Sequence, residues 1–185
     1  MNKKVLTTRI AVTAMMLALC IVSQIFKNLS VYITGPIINA CLIITTLLGG
    51  GVCGSILAVI TPVTAYFISG SPIISVIPAI MPCIMGGNLI LVWATAVFFG
   101  KIRKNYGVII GITVGSVLKA LFMGGVISLI LIPNLLPAKM LPKKAVFQFT
   151  FSGVQLITAA IGSFFAFNIW LVVKKVFAGG NVCEK

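Results

Sequence analysis

Acidic and imidazole side chains are nearly absent: the 185 residues include no histidine, no aspartate and a single glutamate, Glu184. That absence excludes whole classes of chemistry. Paired-carboxylate acid–base catalysis, Ser-His-Asp hydrolysis, histidine-based zinc sites and carboxylate-held magnesium all need side chains this sequence does not have. A proton relay through intramembrane carboxylates or imidazoles is unsupported for the same reason. Cysteine is sparse and unpatterned. Cys20, Cys41, Cys53, Cys83 and Cys183 form no CxxC pair and lie mostly inside apolar stretches, where they read as small buried hydrophobes. The expectation is therefore no catalytic group, no metal and no cofactor.

Charge is scarce and of one sign. Only 8% of residues are charged, and 14 Lys and Arg give a net charge of +13. Against this, 60% of residues are hydrophobic and the mean hydropathy is +1.22. A soluble domain needs charged side chains over most of its surface, so this is membrane-protein composition. The basic residues fall in short segments between apolar runs, which is loop charge and not a nucleic-acid groove.

A bilayer core of about 30 Å takes roughly 20 apolar residues in helix. Clean runs occupy 10–26, 107–132 and 151–173. Between Pro36 and Phe99 the division comes from the breakers Gly49-Gly50-Gly51 and Gly70-Ser71-Pro72, giving spans 36–48, 52–69 and 73–99. The predicted fold is all-α: six transmembrane helices in one bundle, a single membrane domain over residues 1–185. The 36–48 span is short enough to be tilted or irregular, and the first span reads as a retained helix, not a cleaved leader. Lys3, Lys4, Arg9, Lys101, Arg103, Lys104, Lys174, Lys175 and Lys185 then fall on one face, against Lys27, Lys139, Lys143 and Lys144 on the other. That asymmetry puts both termini in the cytoplasm.

Lys119, near the middle of the fifth span, is the most informative residue. A lysine at that depth costs about 3 kcal/mol on insertion scales, and the sequence offers no embedded acid to offset it. Gly115 and Gly111 precede it at i−4 spacing, the pattern that lets helices approach closely, so the side chain is expected to point into the bundle. Asn39, Asn88 and Gln155 bring amides to comparable depth. Each either bridges helices or faces a wet cavity. With Tyr66, and more weakly Thr61 and Gln24, they are the candidate binding residues. Pro62, Pro78 and Pro82 free backbone carbonyls inside apolar segments. Ser116 shares a helix face with Lys119, but no oxyanion pocket accompanies it, so the chain is expected not to be an enzyme. On the first span, Ala11, Ala14 and Ala18 form one small-residue stripe, smooth enough to accept another helix.

Taken in order, these features resemble the substrate-binding S components of energy-coupling-factor (ECF) importers. The likeness rests on Thr8-Arg9-Ile10-Ala11 with its alanine stripe, on Gly35-Pro36-Ile37-Ile38-Asn39-Ala40, and on the glycine-rich turn leading to Thr61-Pro62. Pro82 through Gly86-Gly87-Asn88 and Val117-Leu118-Lys119 complete it. The resemblance implies a multi-pass protein of a bacterial-type plasma membrane that captures a vitamin or similar micronutrient. It implies docking through Ala11, Ala14 and Ala18 onto a transmembrane T component driven by two cytoplasmic ATPases, and binding through Asn88, Lys119, Gln155, Asn39 and Tyr66. The unpaired lysine favours a ligand with an anionic or strong acceptor group, such as folate, pantothenate or riboflavin. Two other readings stay open: a self-assembling channel or carrier with a ring of Lys119 side chains, and a structural subunit of a membrane complex.

Overall fold

The computed structural model describes residues 3–26, 31–102 and 105–178. Lys27, Arg103, Lys104 and Lys185, counted above for orientation, and Cys183 and Glu184 lie outside the described residues. Among the described residues every regular element is helical. Six stretches are long and apolar enough to cross a membrane, so this is a multi-pass helical membrane protein. The long helices are α1 (Lys3–Ile25), α2 (Val31–Gly49), α3 (Gly51–Ser69), α5 (Ile80–Lys101), α6 (Asn105–Met123) and α9 (Gly153–Ala178). Short helices α4 (Pro72–Val76), α7 (Ile132–Leu135) and α8 (Lys144–Phe151) decorate one end.

Helix boundaries depart from the sequence reading around Pro36 and Pro78. The second span is neither short nor irregular: α2 starts at Val31 and carries Pro36 inside it. Proline there removes one intrahelical hydrogen bond, yet the helix continues and packs on α9, where a Cβ at Gly162 would lie 2.6 Å from the Pro36 carbonyl. The run 73–99, by contrast, is divided. Pro78 disfavours helical backbone in the residue before it, and Ile77 accordingly sits at φ −123, ψ 80. Pro82 falls in the first turn of α5, where its missing N–H costs nothing. The fifth span widens after Met123 into a π-helix, Gly124–Leu131. The segment between the fifth and sixth predicted spans is largely ordered helix: a 3₁₀ turn over Ala138–Lys143 runs into α8, which breaks at Ser152 before α9.

The centre of the bundle is α2, with 61% of its apolar window buried, while α1 is peripheral at 11%. Two helix pairs dominate the packing, α5 with α6 and α2 with α9. Both depend on missing Cβ atoms. A Cβ at Gly111 would stand 3.0 Å from the Thr95 Cα, and one at Gly115 would stand 3.1 Å from the Leu91 carbonyl. A Cβ at Gly35 would lie 2.8 Å from Thr158, and one at Gly162 would lie 2.6 Å from the Pro36 carbonyl. Small residues let the backbones close up, as membrane helices require when lipid offers no hydrophobic drive for association.

Two apolar clusters fill the interior. One joins Leu42, Ile43, Leu57, Leu91, Ile112 and Trp170, with Phe99 edge-on to Trp170 at 5.4 Å. The other, toward the short helices, gathers Ile73, Ile77, Ile80, Met123, Ile127 and Phe151. Between them runs a thin polar layer. Large apolar side chains cover the outside, Phe67 and Leu129 among the most exposed, as a lipid-facing surface requires.

Gly162→Ala is expected to lower the unfolding temperature in detergent, with a loss of about 1–3 kcal/mol from forced separation of α2 and α9. Gly100→Ala is the control, since its Cβ would meet nothing within 4 Å. Equal unfolding temperatures for the two variants would remove the close-approach account.

Candidate ligand-binding site

The polar layer centres on Lys119, which is 3% exposed. Its Nζ donates to Asn39 Oδ1 at 2.6 Å and to Asn88 Oδ1 at 2.8 Å. Three helices meet at one ammonium. Short charge-assisted bonds of this kind are stronger than neutral ones, and here they take the place of the salt bridge that the composition forbids.

Each of the three residues is held by a separate local device. On α6, Gly107, Gly111, Gly115 and Lys119 follow at four-residue spacing, so the glycine face that meets α5 carries the lysine one turn further along. Gly87 on α5 makes room for Met123, whose Cγ would stand 2.8 Å from an added Cβ, while the lysine stem passes at an ordinary 3.5 Å. On α2, Asn39 lies against Gly162, whose Cβ would fall 2.8 Å from the Asn39 Cβ. On α5, Asn88 is oriented through its other end: Nδ2 donates to the Ala58 carbonyl at 3.4 Å. That carbonyl lacks its usual helical donor because the residue four positions on is Pro62. Asn88 satisfies the carbonyl and thereby turns its own oxygen toward the lysine.

Above this layer opens a cavity of about 280 Å³. Lys119, Asn39 and Asn88 form its floor. Ile38, Pro62, Ile73, Ile84, Phe147 and Phe151 are among its apolar walls, and Thr61, Ser71, Thr150 and Gln155 add polar groups. The wall contributed by α8 is fastened by a reciprocal clasp. Ser128 Oγ donates to the Gln148 carbonyl and Gln148 Nε2 donates to the Ser128 carbonyl, both at 2.8 Å. The clasp joins α8 to the π-helix.

The site residues named from the sequence are distributed as follows. Asn39, Asn88, Lys119 and Gln155 all line the cavity. Tyr66 stands apart from it: its hydroxyl pairs with Ser75 Oγ at 3.2 Å, and it packs on the second apolar cluster. Thr61 lines the cavity and Gln24 reaches its wall from α1, donating Nε2 to the Thr61 carbonyl at 3.0 Å. Gln24 Oε1 and Thr61 Oγ1 are buried with no hydrogen-bond partner among the described residues. Ser116 bonds Ser163 at 3.0 Å while both lysine bonds go to amides, so the two are not arranged as a nucleophile and its base. Ala11, Ala14 and Ala18 are exposed.

Sequence reasoning missed the cavity wall on α8, because the segment before residue 151 was read as loop. A usable signal was present. Val146, Phe147, Thr150 and Phe151 recur at helical spacing, the mark of one helix face.

The chain matches no protein-family model, no curated protein and no solved structure.

Asn39→Leu leaves a buried ammonium short of one acceptor, and a loss of stability of about 1–3 kcal/mol is expected. Replacing the whole cluster, as Asn39→Leu with Asn88→Leu and Lys119→Met, is expected to recover most of that loss, since well-packed apolar groups often match a buried polar network. Detergent unfolding temperatures decide the point, and an unchanged value for Asn39→Leu alone counts against a holding role for the amide.

Proposed function

We propose that this protein is the substrate-capturing S component of an ATP-driven ECF importer for a small micronutrient. The observation that carries the reading is the floor of the cavity: a lysine with no acid to pair with, fixed by two amide oxygens, lining a space large enough for a small molecule. Pockets that are mostly apolar with a few convergent polar groups are the usual form of a ligand site. An ammonium kept this far from water costs stability, and a ligand that answers its charge gives the cost a purpose.

The second support is α1. It is the least buried of the long helices, and its alanines at 11, 14 and 18 all lie on the surface. Next to exposed Met15 and Val22 they leave a shallow track in which a partner helix can approach closely. In this reading the partner is a transmembrane T component carrying two cytoplasmic ATPases. The cavity opens at the end bearing the short helices, opposite the end where Lys174 Nζ meets Asn105 Oδ1 at 3.1 Å. By the positive-inside rule the basic loops place that opposite end in the cytoplasm, so the cavity faces outward in the bacterial-type plasma membrane.

Neither competing reading has comparable support. A channel lined by a ring of Lys119 side chains needs the lysine on an outer face, and it is buried inside one bundle. A structural subunit that pairs Lys119 with a partner's acid meets the same objection.

Two substitutions separate capture from assembly. Lys119→Met is expected to abolish ligand retention by the purified chain yet still co-purify with the membrane and ATPase partners. Ala14→Trp is expected to retain ligand but lose those partners and reduce uptake by cells at least about tenfold. Normal uptake by the Ala14→Trp chain would sink the docking assignment.

A further inference from the structure

Resting on the capture reading, the geometry points to a finer substrate class: a slender monocarboxylate with an apolar body. The argument starts from hydrogen-bond supply at the floor. As an ammonium, Lys119 offers three N–H donors, and two are used by Asn39 and Asn88. Both amides spend their oxygens on the lysine. The Asn88 nitrogen is taken by the Ala58 carbonyl, whereas the Asn39 nitrogen makes no hydrogen bond among the described residues. What remains unmet at the floor is therefore one ammonium N–H and the Asn39 NH₂. These are donors, from residues that are 3% and 2% exposed respectively. Each amide oxygen already accepts one bond from the lysine, whereas these donors answer nothing, so an incoming acceptor gains the most at this floor. A carboxylate has two oxygens with about four acceptor sites and fits both donors at once.

Charge fixes the valence. Lys119 is the one basic residue lining the cavity and no acid lines it, so a single negative charge pairs with its ammonium form and leaves the site neutral. A phosphate monoester or a dicarboxylate leaves an uncompensated charge in a low-dielectric bundle, which is costly. Shape fixes the body. The cavity of about 280 Å³ is in the range of small-molecule sites. The walls are Ile38, Pro62, Ile73, Ile84, Phe147 and Phe151, and no tyrosine or tryptophan is among the lining residues. Length follows from helix register. Gly162 is level with Asn39, and Gln155 lies seven residues earlier on the same helix, about 10 Å away by helical rise. Gln155 also lines the cavity, and its side chain makes no hydrogen bond among the described residues.

The test uses the full chain in detergent and three probes with one body: phenylpentanoate, phenylpentanamide and phenylpentyl phosphate. Stabilisation by mass action gives an apparent affinity for each. Phenylpentanoate is expected to bind about tenfold or more tightly than either other probe, with the preference lost in Lys119→Met. Because that variant can fail to fold, Asn39→Asp is the second. It supplies an internal counter-ion with little change in shape, and it is expected to keep the fold while reversing the preference toward the neutral amide. Equal or tighter binding of the amide or the phosphate to the wild type overturns the monocarboxylate class and leaves the capture reading standing. Solvent extracts of the purified chain add an independent count: a retained compound that gains one methyl group on esterification supports the class, and one that gains two overturns it. No stabilisation by any probe, together with no retained compound, overturns capture itself.

Discussion

A single ammonium without an acid governs this structure. In most proteins a buried lysine is answered by a carboxylate. Here the only acid in the sequence is Glu184, and Lys119 is answered by two neutral oxygens, Asn39 Oδ1 and Asn88 Oδ1. Amide dipoles solvate a cation without cancelling it. The floor of the cavity is thus well bonded and still positive, a combination that an Asp or Glu in either position would remove. With Glu184 the only acid in the sequence, an ammonium at this position has no carboxylate within the bundle to cancel it.

Holding that ammonium takes three helices that are not neighbours in sequence, and each is registered by a different shortage. Glycine stands in for side chains along α6, so the lysine-bearing face lies close to α5. Gly162 stands in for a side chain on α9, so α2 approaches and Asn39 comes level with the layer. Pro62 lacks an N–H, so the Ala58 carbonyl recruits the Asn88 nitrogen. That last link runs from a missing backbone donor on α3 to the orientation of a side chain on α5. The Asn88 oxygen and nitrogen are fixed by chemistry at both ends, since only the oxygen can face an ammonium and only the nitrogen can face a carbonyl.

The sequence made the six-helix architecture and most of the cavity floor legible, and for definite reasons. Apolar runs of spanning length are hard to read any other way, and an intramembrane lysine with glycines one and two turns before it has few places to go. Asn39, Asn88 and Gln155 were recognisable because amides in hydrocarbon need partners. What stayed hidden depended on tertiary context. Pro36 lies inside α2, whereas Pro78 ends α4 and separates it from α5. Tyr66 has the right composition for a binding residue, yet its hydroxyl is turned to Ser75 on the neighbouring turn. The wall from α8 is easy to pass over because its one-face pattern, Val146, Phe147, Thr150 and Phe151, is confined to eight residues beside prolines and lysines. The π-helix had no signature beyond Gly124-Gly125.

Register is the problem that this arrangement solves. Helices that are apolar on nearly every side, as α2 is, carry little amphipathic information about which face should turn inward, and in lipid the hydrophobic effect does not supply it. Sliding α6 by one turn against α5 would exchange one aliphatic contact for another in either cluster at small cost. It would not be neutral for the polar layer, because Lys119 would lose both acceptors and two amides would be left unmatched in hydrocarbon, at several kcal/mol for each unsatisfied group. The glycine notches set how close the helices come, and the Lys119–Asn39–Asn88 cluster sets where along their length they stop. Buried polar groups that specify a register at the expense of stability are well attested in coiled coils. In this bundle the same three residues both specify the fold and form the floor of the cavity. On the proposed reading, ligand capture therefore uses a charge that the architecture already needs for its own alignment.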